Sequence, residues 1–145
     1  MTSRSASCSC RQLSVDTVGD PIRISICHCL ECQRRTGSVF GVQARFHTNT
    51  VTIRGRSATF VRVGDSGTKV TFHFCPVCGG TVHYSLERHP EIVGIPVGAF
   101  ADPSSRRRFA QCTRSGCTRG LTYRRISSMC PKRVSPWLAC TPPRG

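Results

Sequence analysis

A mainly antiparallel β domain of short strands, cross-linked through clustered cysteines, is the fold class this sequence predicts. Three observations lead there. Apolar residues alternate with polar ones in short runs, as in Ile22, Ile24 and Ile26 and again in Val70, Phe72 and Phe74. A period of two is that of a strand with one buried face. No long stretch carries the 3.6-residue period of an amphipathic helix. Seven cysteines fall in groups of two, three and two, as Cys8/Cys10, Cys27/Cys29/Cys32 and Cys75/Cys78.

Taken in order, residues 1–7 are polar and Ser-rich and are expected to form a flexible N-terminus. Leu13 and Val15 mark a strand leaving the first thiol pair, and Gly19-Asp20-Pro21 a turn. The strand containing Ile22, Ile24 and Ile26 then delivers Cys27 to its end. Leu30 to Arg35 suits a short helical turn closed at Gly37, and Val39 to Phe46 returns to strand, with Phe40, Val42 and Ala44 on one face. Val51/Ile53, ended by Gly55, then Phe60/Val61/Val63 and Val70/Phe72/Phe74 mark three more strands. Gly64-Asp65-Ser66-Gly67 is a hairpin-like loop between the last two. Cys75-Pro76-Val77-Cys78-Gly79-Gly80 reads as a zinc-knuckle turn, its glycines letting backbone amides face the thiolates. Val82/Tyr84 and Ile92 to Val97 supply the last strands.

The 145 residues fit one domain with length to spare for a tail. The net charge of +14 is unevenly spread. Residues 1–102 hold eleven Lys/Arg and all seven Asp/Glu, a net +4, whereas residues 103–145 hold ten Lys/Arg and no acid. A nucleic-acid partner is therefore an expectation for the tail alone. The first residues carry no apolar core of a secretory signal. No apolar run approaches the roughly 20 residues that span a bilayer. A cytoplasmic, reducing setting without membrane contact is expected, and there clustered thiols point to metal or catalysis before disulfides. The expected partition is a flexible 1–7, a zinc domain over 8–103, and an irregular basic tail over 104–145 with Cys112, Cys117, Cys130 and Cys140. From about Ser104 the composition is of the kind a shifted reading frame in a GC-rich gene produces. The alternative is a basic arm for nucleic acid, whose binding would weaken steeply with salt.

Zinc takes four soft ligands in a closed structural site and keeps a position open where it does chemistry. The pairs Cys8/Cys10 and Cys75/Cys78 sum to four and would staple the first strand to one far along the chain. A structural zinc contributes on the order of 10–16 kcal/mol in small domains, comparable to or larger than the whole stability of a domain this size. The triplet Cys27/Cys29/Cys32 supplies three ligands. Its fourth position is left for water or a substrate thiol, or for His28, His73 or His83, which would close the site. Arg34 and Arg35 follow at once and suit bidentate binding of a substrate carboxylate, with a solvated face as the alternative. Arg45 and Arg62 are further body arginines suited to an anion.

These residues form a familiar pattern. Ser7-Cys8-Ser9-Cys10, the run from Cys27 to Ser38 (CHCLECQRRTGS) and Phe72-His73-Phe74-Cys75-Pro76-Val77-Cys78-Gly79 resemble the glutathione-dependent formaldehyde-activating enzyme family. That family includes the centromere protein V relatives. Gly64 to Gly67 and Val97 to Pro103 are similar to its later blocks, so the resemblance covers about residues 7–103. It implies a zinc-bearing β-tent fold and carbon–sulfur lyase chemistry, the reversible joining of formaldehyde to glutathione as S-hydroxymethylglutathione. It also implies two zinc ions per chain: a structural one on Cys8, Cys10, Cys75 and Cys78, and a catalytic one on Cys27, Cys29 and Cys32. The chain departs from the pattern at Arg11, where the family usually has Gly, and from Ser104 onward.

The expected function is that of a zinc enzyme acting on a thiol–aldehyde adduct, with a small-molecule thiol such as glutathione as partner. The rival expectations are a non-enzymatic zinc module with both sites closed, its tail binding nucleic acid or protein, and an inactive paralogue.

Overall fold

Two antiparallel sheets carry the alternating runs in the computed structural model, which describes residues 2–64 and 67–102. The expectations for the tail, including its four cysteines and the shifted frame, lie outside the described residues. The smaller sheet has the order β1-β2-β5, built from Ser3–Ser7, Ser14–Val18 and Val51–Arg54. The larger has the order β3-β4-β9-β8-β7-β6. Its strands are β3 Arg23–Cys27, β4 Gly41–His47, β6 Ala58–Val63, β7 Lys69–Phe74, β8 Thr81–Leu86 and β9 His89–Pro96. One α-helix, α1 at Leu30–Thr36, is described, and a 3-10 turn at Val97–Phe100 follows β9. The final strand thus ends one residue earlier than the sequence suggests, although Val97 is still buried. No helix among the described residues is long and apolar enough to cross a membrane.

The first seven residues correct an expectation. Ser3–Ser7 is ordered as β1, in unbroken register with β2 from Ser3 opposite Val18 to Ser7 opposite Ser14. Only Ala6 is apolar there, and it is fully buried. Arg4 clamps the other end of β2, donating to the Gly19 carbonyl at 2.6 Å and pairing with Asp20 at 2.7 Å. A strand with one alanine and a hydrogen-bonded backbone offers no alternation to read. In β3 it is Ser25 that is buried, opposite Gln43, while Ile24 and Ile26 are half-buried and Ile22 lies outside the strand, half-exposed.

The core lies between the sheets. Ala6, Leu13 and Val15 from the first sheet side meet Ala44, Phe46, Val82, Val93 and Ile95 from the second. Cys8 and Cys75 belong to the same cluster. The larger sheet also has a second layer on its other face. Across its strands the register runs Arg45, Gly94, Tyr84, Phe72, Phe60. Val82 joins the core, yet Tyr84 lies with Phe72 and Gln43 on the opposite side. An unbroken strand would place residues two apart on one face. A bulge, where β7 passes from His73 to Phe74 while its partner skips from His83 to Thr81, separates them.

Gly94 is what lets Tyr84 lie down on the sheet. A Cβ at that position would stand 1.9 Å from Tyr84 Cζ, and Tyr84 is 2% exposed with its hydroxyl bonded. Gly94→Ala should therefore overpack this layer and cost about 1–3 kcal/mol. Urea unfolding of the metal-loaded protein measures it; an unchanged midpoint would contradict the tight seat.

Candidate functional site

Two groups of thiols converge. Cys8 and Cys10 lie in the turn after β1, and Cys75 and Cys78 in the turn between β7 and β8. Their four sulfurs lie within 4.8 Å of one another, with Cys8–Cys10 and Cys10–Cys75 both at 3.5 Å. A tetrahedral zinc with bonds near 2.3 Å needs sulfurs about 3.8 Å apart. Backbone N–H groups face the sulfurs, Leu13 to Cys8 at 3.3 Å and Val77 to Cys75 at 3.4 Å. The amides of Cys10 and Gly80 hold the Cys78 thiol down near 6. Cys10, despite the Gln12 amide, is pushed up to about 12, chiefly by Cys75. The four cannot all ionise together unless a cation sits among them, so the donor set fits zinc.

Each knuckle closes on a left-handed residue directly after its second cysteine. Gly79 has φ +73°, and Arg11 has φ +62°. Glycine takes that conformation freely, whereas a residue with a Cβ is strained by it. The departure at Arg11 is therefore a local cost in a turn that keeps its shape.

The second group is built from a strand end and a helix start. β3 delivers Cys27, and Cys29 is the N-cap of α1, accepting the Cys32 N–H at 3.4 Å. Cys27 lies 3.4 Å from Cys29, and all three sulfurs fall within 4.8 Å. Gly37 closes the helix with φ 64°. Against its burial, Cys29 is lowered by the Cys32 amide and the neighbouring thiols. Burial and then Cys27 and Cys29 push Cys32 up to about 12. The three thiols likewise fit a soft cation. Among the described residues the group contains no histidine. His28 instead packs at a tilt against Phe40, with ring centres 5.7 Å apart. His73 and His83 stack on each other at 4.2 Å, in the register position next to Phe72 and Tyr84 and so on the opposite face. Burial, and then His73, lowers His83 to about 4, which keeps it neutral.

A cleft of about 340 Å³ opens beside this triplet. α1 lines it with Glu31, Cys32, Arg34 and Arg35, β6 with Phe60 and Arg62, β7 with Phe72 and Phe74, and the second knuckle with Gly79. Arg35 lies over the Phe72 ring at 5.1 Å. Glu31 pairs with Arg34 and stands 4.0 Å from Arg62. Arg34 and Arg35 lie on the cleft, and Arg62 joins them. Arg45 does not line it; it sits beside Tyr84 under the helix side of the sheet. Sequence reasoning missed Glu31, the phenylalanine wall, and Gln43 with Tyr84 behind Cys32. An amide and a phenol inside alternating strands carry no spacing signal.

The fold and these clusters define a small antiparallel β protein with one four-thiol and one three-thiol group, each able to hold a metal ion. The sequence model of the family described as "Glutathione-dependent formaldehyde-activating enzyme" matches residues 3–114, and the chain belongs to that family. The match runs past residue 103, where the resemblance was expected to stop. A crystal structure of a Rhodobacter sphaeroides protein shares the fold, with a TM-score of 0.53 at 19% identity, covering 77% of this chain and 99% of that one. No curated protein matches the chain.

Two outcomes follow from the knuckles. Cys75→Ser should abolish a cooperative thermal transition, because the core and the four-thiol site share this residue; a preserved sharp melt by circular dichroism would separate the two. Arg11→Gly should relieve the left-handed strain and stabilise the protein by about 0.5–1 kcal/mol. A lowered denaturation midpoint would show that the Arg11 side chain contributes more than its backbone costs.

Proposed function

We propose that this chain is a zinc-dependent carbon–sulfur lyase that makes or breaks a thiol–aldehyde adduct, with S-hydroxymethylglutathione as the first substrate to test. The observation that carries the reading is that Cys32, one of three clustered thiols, stands in the wall of a cleft that also presents three arginines. In this reading Cys8, Cys10, Cys75 and Cys78 hold a structural zinc, and Cys27, Cys29 and Cys32 hold a second. Zinc on three thiolates supplies a position where one more thiolate exchanges and a carbonyl oxygen is polarised.

The protein's own residues bind and orient. Arg34, Arg35 and Arg62 receive the carboxylates of the thiol, each guanidinium offering paired donors. Glu31 holds Arg34 and approaches Arg62, so an incoming carboxylate takes over contacts that are already arranged for one. Phe60, Phe72 and Phe74 line the cleft and displace water, which strengthens those charge pairs. In the forward direction the thiol sulfur gives its electron pair to the aldehyde carbon, forming the C–S bond. The carbonyl oxygen takes up a proton equivalent to the one the thiol released. Cleavage is the reverse, and no oxidant or reductant is needed.

Two measurements on one variant test this reading. Zinc-loaded wild type should carry two zinc ions per chain and accelerate adduct exchange seen by NMR. Cys29→Ser should remove one zinc and reduce the acceleration to the buffer rate, while the thermal melt moves by only a few degrees. An exchange rate equal to buffer in wild type, across several thiols, would instead favour the non-enzymatic zinc module.

A further inference from the structure

Behind Cys32, away from the cleft mouth, a line of polar side chains crosses the buried second layer of the large sheet. Gln43 of β4 donates from Nε2 to Cys32 Sγ at 3.6 Å. Its Oε1 accepts the Tyr84 hydroxyl at 2.5 Å. The Arg45 guanidinium stands beside the same hydroxyl. Cys32 is 7% exposed, Gln43 9% and Tyr84 2%, so water does not compete along the line. The geometry also fixes its polarity. The phenol donates to the amide oxygen, and the amide nitrogen is left to face sulfur. Every N–H and O–H in the line points toward Cys32.

The local backbone shows what holds this line in place. Gln43 faces Ser25 across β3–β4, and the β7–β8 bulge turns Tyr84 onto its side of the sheet. Gly94 leaves room for the ring, and Phe72 packs against it with ring centres 5.6 Å apart. A buried amide with both ends engaged is held in one orientation, because turning it over would point like ends at each other on both sides. Hydrogen bonds donated to a ligating sulfur orient it and spread its charge, as outer groups do around metal ligands generally.

We infer that Gln43, fixed by Tyr84 and Arg45, is a positioning residue that orients the Cys32 sulfur as a metal ligand. The inference rests on the three-thiol metal site proposed above, and metal counting separates the two. It concerns the amide–sulfur bond rather than the cleft, so it predicts an effect on metal binding before any substrate is present.

The experiment uses the full chain titrated with cobalt(II), whose thiolate charge-transfer bands report each site, with competition by a chelator for affinity. Gln43→Leu should weaken the second cobalt equivalent 10–100-fold and shift its charge-transfer band to longer wavelength, as the sulfur loses a donated hydrogen bond. The first equivalent, at Cys8/Cys10/Cys75/Cys78, should keep its spectrum. Tyr84→Phe should act in the same direction but less, because the amide is freed to turn. It should add nothing in the Gln43→Leu background. If Gln43→Leu does not fold, Tyr84→Phe decides alone through the same band and affinity. A wild type that takes only one equivalent would sink the three-thiol site and the inference with it. Two equivalents, with band and affinity unmoved by the variants, or with effects of Gln43→Leu and Tyr84→Phe that simply add, would overturn the positioning role and leave the metal site standing.

Discussion

The convergence of Cys8 and Cys10 on Cys75 and Cys78 is the constraint on which the rest of this structure depends. Among the described residues the two sheets share no hydrogen-bonded ladder. They are joined by side chains in the core and by these four sulfurs, two from the hairpin turn of the small sheet and two from the β7–β8 turn of the large one. A domain of about a hundred residues buries only about two-thirds of its unfolded surface. Cys8 and Cys75 are themselves core residues, so the point where the thiols converge and the point of packing coincide.

The cleft inherits its position from the same turn. Directly before Cys75 the β7–β8 ladder takes a bulge. On the core side it sends Val82 and Cys75 inward, and on the other side it leaves Phe72, Phe74 and Tyr84 to line a second layer. Helix α1 covers that layer and brings Cys32 over it. One irregularity thus divides the sheet into a face that holds the protein together and a face that lines the cleft.

Much of this was legible in the sequence, for physical reasons that differ by element. Val70, Phe72 and Phe74 announce β7 because a strand buried on one face must alternate. The cysteine groups announce the two thiol clusters because side chains two or three residues apart can reach one point. Gly37 announces the end of α1 because its backbone is left-handed. By contrast β1 was hidden, since Ser3–Ser7 earns its place through backbone bonds and the clamp of Arg4, neither of which leaves an apolar pattern. In β3 the isoleucines announce the strand and Ile24 packs against the core, but the buried position on its other face is Ser25, which no apolar pattern marks. Gln43 and Tyr84 were silent because their importance is relational. Each gains meaning only once a bulge and a glycine bring them behind Cys32.

Helix α1 has a further consequence, which concerns the order in which the protein assembles. Its seven residues are too few for a helix to persist by itself in water. Its first turn is capped by a sulfur that also belongs to the thiol triplet. A wall of the cleft therefore takes shape only as that triplet closes. Order in the helix and order in the triplet are thus one event, since the same sulfur caps the first and belongs to the second. Whatever loosens the three thiols therefore also loosens the wall that carries Arg34 and Arg35 into the cleft.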